Sequence, residues 1–137
     1  MKLTGRDVRM AKDITWNSST KISLVIPNTS GADYVYVYEY LNGSFTRTQT
    51  APTAIAAQTL ITGIAPASFS LAGYKISINP ATGSPYQVDL TNLNQASLDT
   101  KQLQLSLSVR RSVSTGPSTN ANVISARYIL RNKQVAS

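Results

Sequence analysis

The chain has 137 residues, no cysteine, no histidine and a formal charge of +7, from thirteen basic and six acidic side chains. It is long enough to bury a core without disulfides or metal. The missing residue types exclude thiol nucleophiles, Cys- or His-ligated zinc and every Ser-His-Asp triad, so the expectation is a non-enzymatic protein with no cofactor.

The first twelve residues hold Lys2, Arg6, Arg9 and Lys12 against Asp7. Thr4 with Asp7 three positions on forms a possible capping box for a short helix, while Gly5 favours an extended basic arm. Charge stands where a secretory signal needs an apolar stretch, and no run of about 18 apolar residues occurs. A product made in the cytoplasm of its host is expected.

Residues 13–137 read as one antiparallel β domain. "DITWNSSTKISLVIPN" gives two strands around Asn17-Ser18-Ser19, with Ile22, Leu24 and Ile26 on one face and Trp16 in a buried strand. "DYVYVYEYLNGSFTRTQTA" follows, with a tyrosine at every second position from Tyr34 to Tyr40. Period two places all four tyrosines on one face and Val35, Val37, Glu39 and Leu41 on the other. Asn42-Gly43 suits a type I′ turn, which sets Leu41 opposite Ser44, Tyr40 opposite Phe45, Tyr38 opposite Arg47 and Tyr36 opposite Gln49. Two readings of this hairpin stand side by side. Either the Val/Thr face covers a core and Tyr36, Tyr38, Phe45 and Arg47 form a stacking or interface surface, or the tyrosines lie over the core edge with their hydroxyls toward solvent.

"APTAIAAQTLITGIAPA" is read as a short helix from Pro52 followed by a strand through Leu60 and Ile61. Next, Phe69 and Leu71 alternate with polar residues and, past a bulge expected at Gly73, Tyr74, Ile76 and Ile78 continue the apolar face. "NPATGSP" is a turn before a strand with Tyr86, Val88 and Leu90, and "LNQASLDTKQ" holds one helical turn or a loop. "KQLQLSLSVRRSV" alternates cleanly, with Leu103, Leu105, Leu107 and Val109 on one face. It returns through "STGPSTNAN" into "VISARYILRN", where Ile124, Ala126, Tyr128 and Leu130 oppose Val123, Ser125, Arg127, Ile129 and Arg131.

The sum is an all-β chain of roughly eight strands in antiparallel hairpins with little helix. It is expected to form a β-sandwich or jelly-roll-like domain, or a sheet completed by a second subunit. Asp13, Asp89 and Asp99 stand at element ends and are read as caps. No phosphate loop or calcium loop pattern is present, so no metal site is expected.

Recognition of a partner remains as the expected activity. Residues 1–12 carry +3, residues 13–100 carry −2, and residues 101–137 carry +6 with no acid. Basic ends of this kind attract polyanions, and Arg110, Arg111, Arg127, Arg131 and Lys133 are the candidate nucleic-acid contacts, with the N-terminal arm. Aromatic rings interleaved with cations suit single-stranded nucleic acid, sugar rings or another subunit.

A small, cysteine-free, Ser/Thr/Asn-rich chain of hairpins with basic ends resembles the small coat proteins of bacteriophages. "AKDITWNSSTKISLVI" and "SGADYVYVYEY" look similar to strand segments in coat proteins of single-stranded RNA phages. The resemblance implies a self-assembling capsid subunit, homo-oligomeric, located in the virion, with a sheet that faces packaged RNA and C-terminal helices that interlock two subunits. Residues 101–137 depart from that pattern, since they read as strands. A capsid-decoration protein of a phage head is the alternative that fits the lack of helix. A carbohydrate-binding β-sandwich using the tyrosine face and a monomeric nucleic-acid-binding domain are the others.

Overall fold

The computed structural model describes residues 9–112, 119–130 and 133. Two antiparallel sheets form an all-β sandwich. The first contains β1 (Asp13–Ser18), β2 (Lys21–Ile26), β3 (Tyr34–Leu41), β4 (Ser44–Ala51) and β5 (Gln58–Ile61), paired in chain order. The second contains β6 (Ser70–Asn79), β7 (Ser84–Gln87), β8 (Gln102–Ser112) and β9 (Thr119–Ile129), in the order β7-β6-β8-β9. A seven-residue helix, α1 (Leu93–Asp99), joins β7 to β8. Of the N-terminal segment, residues 1–8 lie outside the described residues, and Arg9 and Met10 are helical.

The hairpin at Asn42-Gly43 forms as its residue types require. Asn42 (φ 49°) and Gly43 (φ 78°) both take the left-handed backbone of a type I′ turn, and the four expected pairings are all present. β2 decides which face of this hairpin is buried. Ile22 lies opposite Tyr38, Leu24 opposite Tyr36 and Ile26 opposite Tyr34, so the tyrosines extend an aliphatic stripe. Ile22, Leu24 and Tyr38 are each 2 % exposed or less, and the Tyr38 ring stacks on Phe45 with centroids 5.7 Å apart. Phe69 joins them, 4.4 Å from Tyr40 and 5.6 Å from Phe45. Such ring pairs add about 0.5–1.5 kcal/mol each beyond their buried area. Tyr38 and Phe45 are therefore core residues and not a stacking surface, because burial against β2 and the second sheet closes their faces.

The crossing between sheets follows β5. No helix forms at Pro52. Ile64 pairs with Val109 of β8 and donates its N–H to the Gly43 carbonyl at 3.0 Å. Ala65 donates to Ser108 O at 2.9 Å, and a 3-10 turn at Pro66–Ser68 delivers the chain to β6. Ser68 Oγ accepts from the Ser108 N–H at 2.9 Å.

β6 pairs with β8 without interruption from Ser70 to Tyr74, so no bulge occurs against β8 at Gly73; the irregularity lies further on, between Tyr74 and Ile78, against β7. Gly73 instead faces inward where space is short. A Cβ there would stand 2.8 Å from Thr100 Oγ1, 2.9 Å from Val88 Cγ2 and 3.0 Å from Trp16 Cζ2. Because pairing with β8 runs unbroken through Gly73, Tyr74 takes the outward face, and Ile76 and Ile78, at and beyond the irregularity, are half exposed.

Trp16 is buried, as expected, and its Nε1–H donates to Thr100 Oγ1 at 2.9 Å; that hydroxyl donates to Ala96 O at 2.6 Å. α1 starts on Asn92, whose side chain accepts from the Gln95 N–H at 3.1 Å. The helix packs along β1, and Ser97 Oγ accepts from the Trp16 N–H at 2.8 Å. Leu103, Leu105 and Leu107 of β8 and Leu130 close the core from the second sheet.

Candidate binding face

Register builds three rows across the outward face of the second sheet. Tyr74, Gln102 and Ile129 form one row, Ala72, Gln104 and Arg127 the next, and Ser70, Ser106 and Ser125 the third. Arg127 is exposed but does not point away from the surface. Its Cζ lies 3.9 Å from the centre of the Tyr74 ring, two strands away. Nε and Nη2 both donate to Gln104 Oε1, at 3.2 and 2.8 Å. Gln104 in turn donates from Nε2 to Ser125 Oγ at 3.1 Å, and the Ser125 and Ser106 hydroxyls are 3.3 Å apart. The long side chain thus lies across β8, with its row ending in the short Ala72.

This arrangement holds the guanidinium in place through contacts within the chain. Its described contacts, Tyr74 and Gln104, are both uncharged, so its positive charge is oriented without being neutralised by a carboxylate. A planar, held guanidinium loses less freedom on binding a phosphate or stacking on a base than a mobile one. Stacking on tyrosine adds cation–π attraction.

The other expected contacts do not gather here. Arg110 and Arg111 stand opposite Ala121 and Asn120 in β8 and β9. Arg110 is six positions from Gln104 along β8, about 20 Å at strand rise. Arg131 lies outside the described residues. Lys133 is buried, 4 % exposed, and donates from Nζ to Leu98 O at 3.0 Å and Thr100 O at 2.8 Å. It closes the C-terminal end of α1 and is not a polyanion contact: its charge is already directed at orphan helix carbonyls. Burial is the main cause that lowers its pKa from the usual lysine value, with Asp13 and Asp99 acting the other way.

Of the hairpin residues, Tyr36 and Arg47 stay accessible. Arg47 Cζ lies 4.5 Å from the Tyr36 ring centre, and the pair lines a shallow depression of about 80 Å³ with Gln49, Ile55, Ala56 and Gln58. The two candidate faces are therefore on different sheets.

The acids have local duties. Asp33 pairs with Lys12, and that side-chain bond is the main cause holding its carboxyl below the usual aspartate range. Asp89 is held low by the Thr91 N–H and hydroxyl, at 2.9 and 2.7 Å. Asp13 accepts from the Ile14 N–H, and Asp99 from Gln95 Nε2. Among the described residues no group of three or more acidic side chains is placed to hold a metal ion.

Tyr74 and Gln104 were not among the expected site residues. Both were legible as outward positions of their strands once Gly73 is read as a packing glycine and not as a bulge.

No family model, no curated protein and no solved structure matches this chain.

Proposed function

We propose that this chain is a non-enzymatic structural subunit of a phage shell, a self-assembling coat protein that holds nucleic acid against the outward face of its second sheet. The observation that carries the reading is the exposed Arg127 guanidinium, stacked on Tyr74 and anchored by Gln104, with no carboxylate paired to it among the described residues. The basic segments at the two ends of the chain add sequence-independent attraction for phosphates. RNA is the favoured polymer, because a flat face with a stacking platform suits unpaired bases.

The sugar-binding alternative is weakened, since Tyr38 and Phe45 are buried and Tyr40 stacks on Phe69, which leaves the half-buried pair Tyr34 and Tyr36 of the tyrosine face.

Size-exclusion chromatography with light scattering, reading absorbance at 260 and 280 nm before and after nuclease, tests the proposal. A megadalton particle with nuclease-protected nucleic acid is the expected result. Arg127→Glu should lower the retained nucleic acid by tenfold or more at low salt while leaving the thermal midpoint nearly unchanged, because an exposed charge contributes little to stability. A small oligomer free of nucleic acid would refute the coat reading and favour a decoration protein.

A further inference from the structure

The donors and the two faces of the Arg127 guanidinium are used differently. Nε and Nη2, one forked edge of the plane, are spent on Gln104 Oε1 at 3.2 and 2.8 Å. Gln104 cannot turn its amide without loss, because its Nε2 donates to Ser125 Oγ at 3.1 Å while its oxygen serves the guanidinium. One face of the plane lies on the Tyr74 ring, with Cζ 3.9 Å from the centroid. The side chain is nevertheless exposed, and it makes no other hydrogen bond, ion pair or ring contact among the described residues. The face away from Tyr74 is therefore turned to solvent. Tyr74 gives its ring to the cation on that side, so an incoming flat group meets arginine and not tyrosine. Ile129, two positions on along β9 and on the same side of the sheet, is half exposed and stands in the row of Tyr74 and Gln102.

We propose that this solvent face of Arg127 is a stacking platform for one unpaired base of a single-stranded nucleic acid, giving the layers Tyr74, guanidinium and base. The inference rests on the reading that the sheet face binds nucleic acid, and it names the part of the polymer that Arg127 touches. A phosphate is served by donors in the guanidinium plane, and one forked edge is already taken by Gln104. It also gains nothing from an aliphatic neighbour. The flat face of a base gains from both features, since it is attracted to the planar cation and sheds water against Ile129. A duplex keeps its bases stacked and paired, so it offers no free base face to the platform. Stacking is tolerant of sequence because every base has a π-face, and this position therefore selects single strands over duplex without selecting a base.

A strand without bases separates the two kinds of contact. The full-length chain, cleared of bound nucleic acid by nuclease and high salt, is titrated into a fluorescent uridine oligonucleotide and into an abasic strand of the same length and charge, with anisotropy as the readout. The expected result is an affinity for the uridine strand at least about fivefold above that for the abasic strand, the low end of what one stacked base contributes. Arg127→Lys keeps the charge and removes the plane. It should bring that ratio close to one, while affinity for the abasic strand and the slope of log affinity against log salt stay as in the wild type. Equal wild-type affinity for the two strands makes Arg127 a phosphate contact, which overturns the platform and leaves nucleic-acid binding standing. A preference that Arg127→Lys leaves intact puts the base contact elsewhere and also overturns the platform alone. No binding of either strand at low salt overturns both the platform and the nucleic-acid reading. Because the first comparison uses the wild-type chain, it does not depend on a variant folding.

Discussion

Replacing Gly73 by alanine tests the packing logic of the fold at its tightest point. The added methyl carbon would lie 2.8 Å from Thr100 Oγ1, 2.9 Å from Val88 Cγ2 and 3.0 Å from Trp16 Cζ2. Comfortable separations are about 3.5–4.0 Å, so each neighbour must retreat by roughly 0.5–1 Å. None is free to do so, because Thr100 is 0 %, Trp16 2 % and Val88 4 % exposed. Overpacking of this kind costs about 1–3 kcal/mol. Moving Thr100 also disturbs its bond with the Trp16 indole and its bond to Ala96 O, about 1 kcal/mol more. The expected loss is about 2–4 kcal/mol, or roughly 7–14 °C in Tm for a chain of this length. Urea denaturation followed by fluorescence measures it, since Trp16 is the only tryptophan and sits at the site of the change. Thr100→Ala removes the nearest atom, so in that background Gly73→Ala should cost at least about 1 kcal/mol less than in the wild type. A Gly73→Ala protein within about 0.5 kcal/mol of wild type, or strict additivity in the cycle, would refute the argument.

Lys133→Met should lower stability by about 1–3 kcal/mol in the same urea assay, because the Leu98 and Thr100 carbonyls lose their donor. It should leave nucleic-acid retention per folded molecule unchanged, and a selective loss of retention would restore Lys133 as a contact. Asp33 has a pKa lowered by its bond to Lys12, so its contribution to stability is present above the unfolded value near 3.9 and is lost as pH falls through the lower folded value. Lys12→Ala removes that bond, so its urea midpoint should fall less steeply than the wild type's as pH drops below the unfolded aspartate value; parallel curves would rule the linkage out.

Alternation made most of the fold legible. The hairpin at Asn42-Gly43, the buried faces of β2 and β8 and the burial of Trp16 follow from residue types at period two and a turn that admits two positive φ angles. The side of β3 that faces the core did not follow from β3 itself. Tyrosine is compatible with either surface, and the deciding fact is the pairing of Tyr38 with Ile22, a contact across a loop whose length fixes no register. Gly73 misled for a related reason. A glycine within a strand signals a bulge or a close approach, and only its neighbours from elsewhere in the chain, Thr100, Val88 and Trp16, distinguish them. Lys133 looked like surface charge because its partners, the last carbonyls of α1, are positioned by tertiary packing. Arg127 was legible as an exposed cation, whereas its anchoring required the alignment of β6, β8 and β9 that places Tyr74 and Gln104 beneath it.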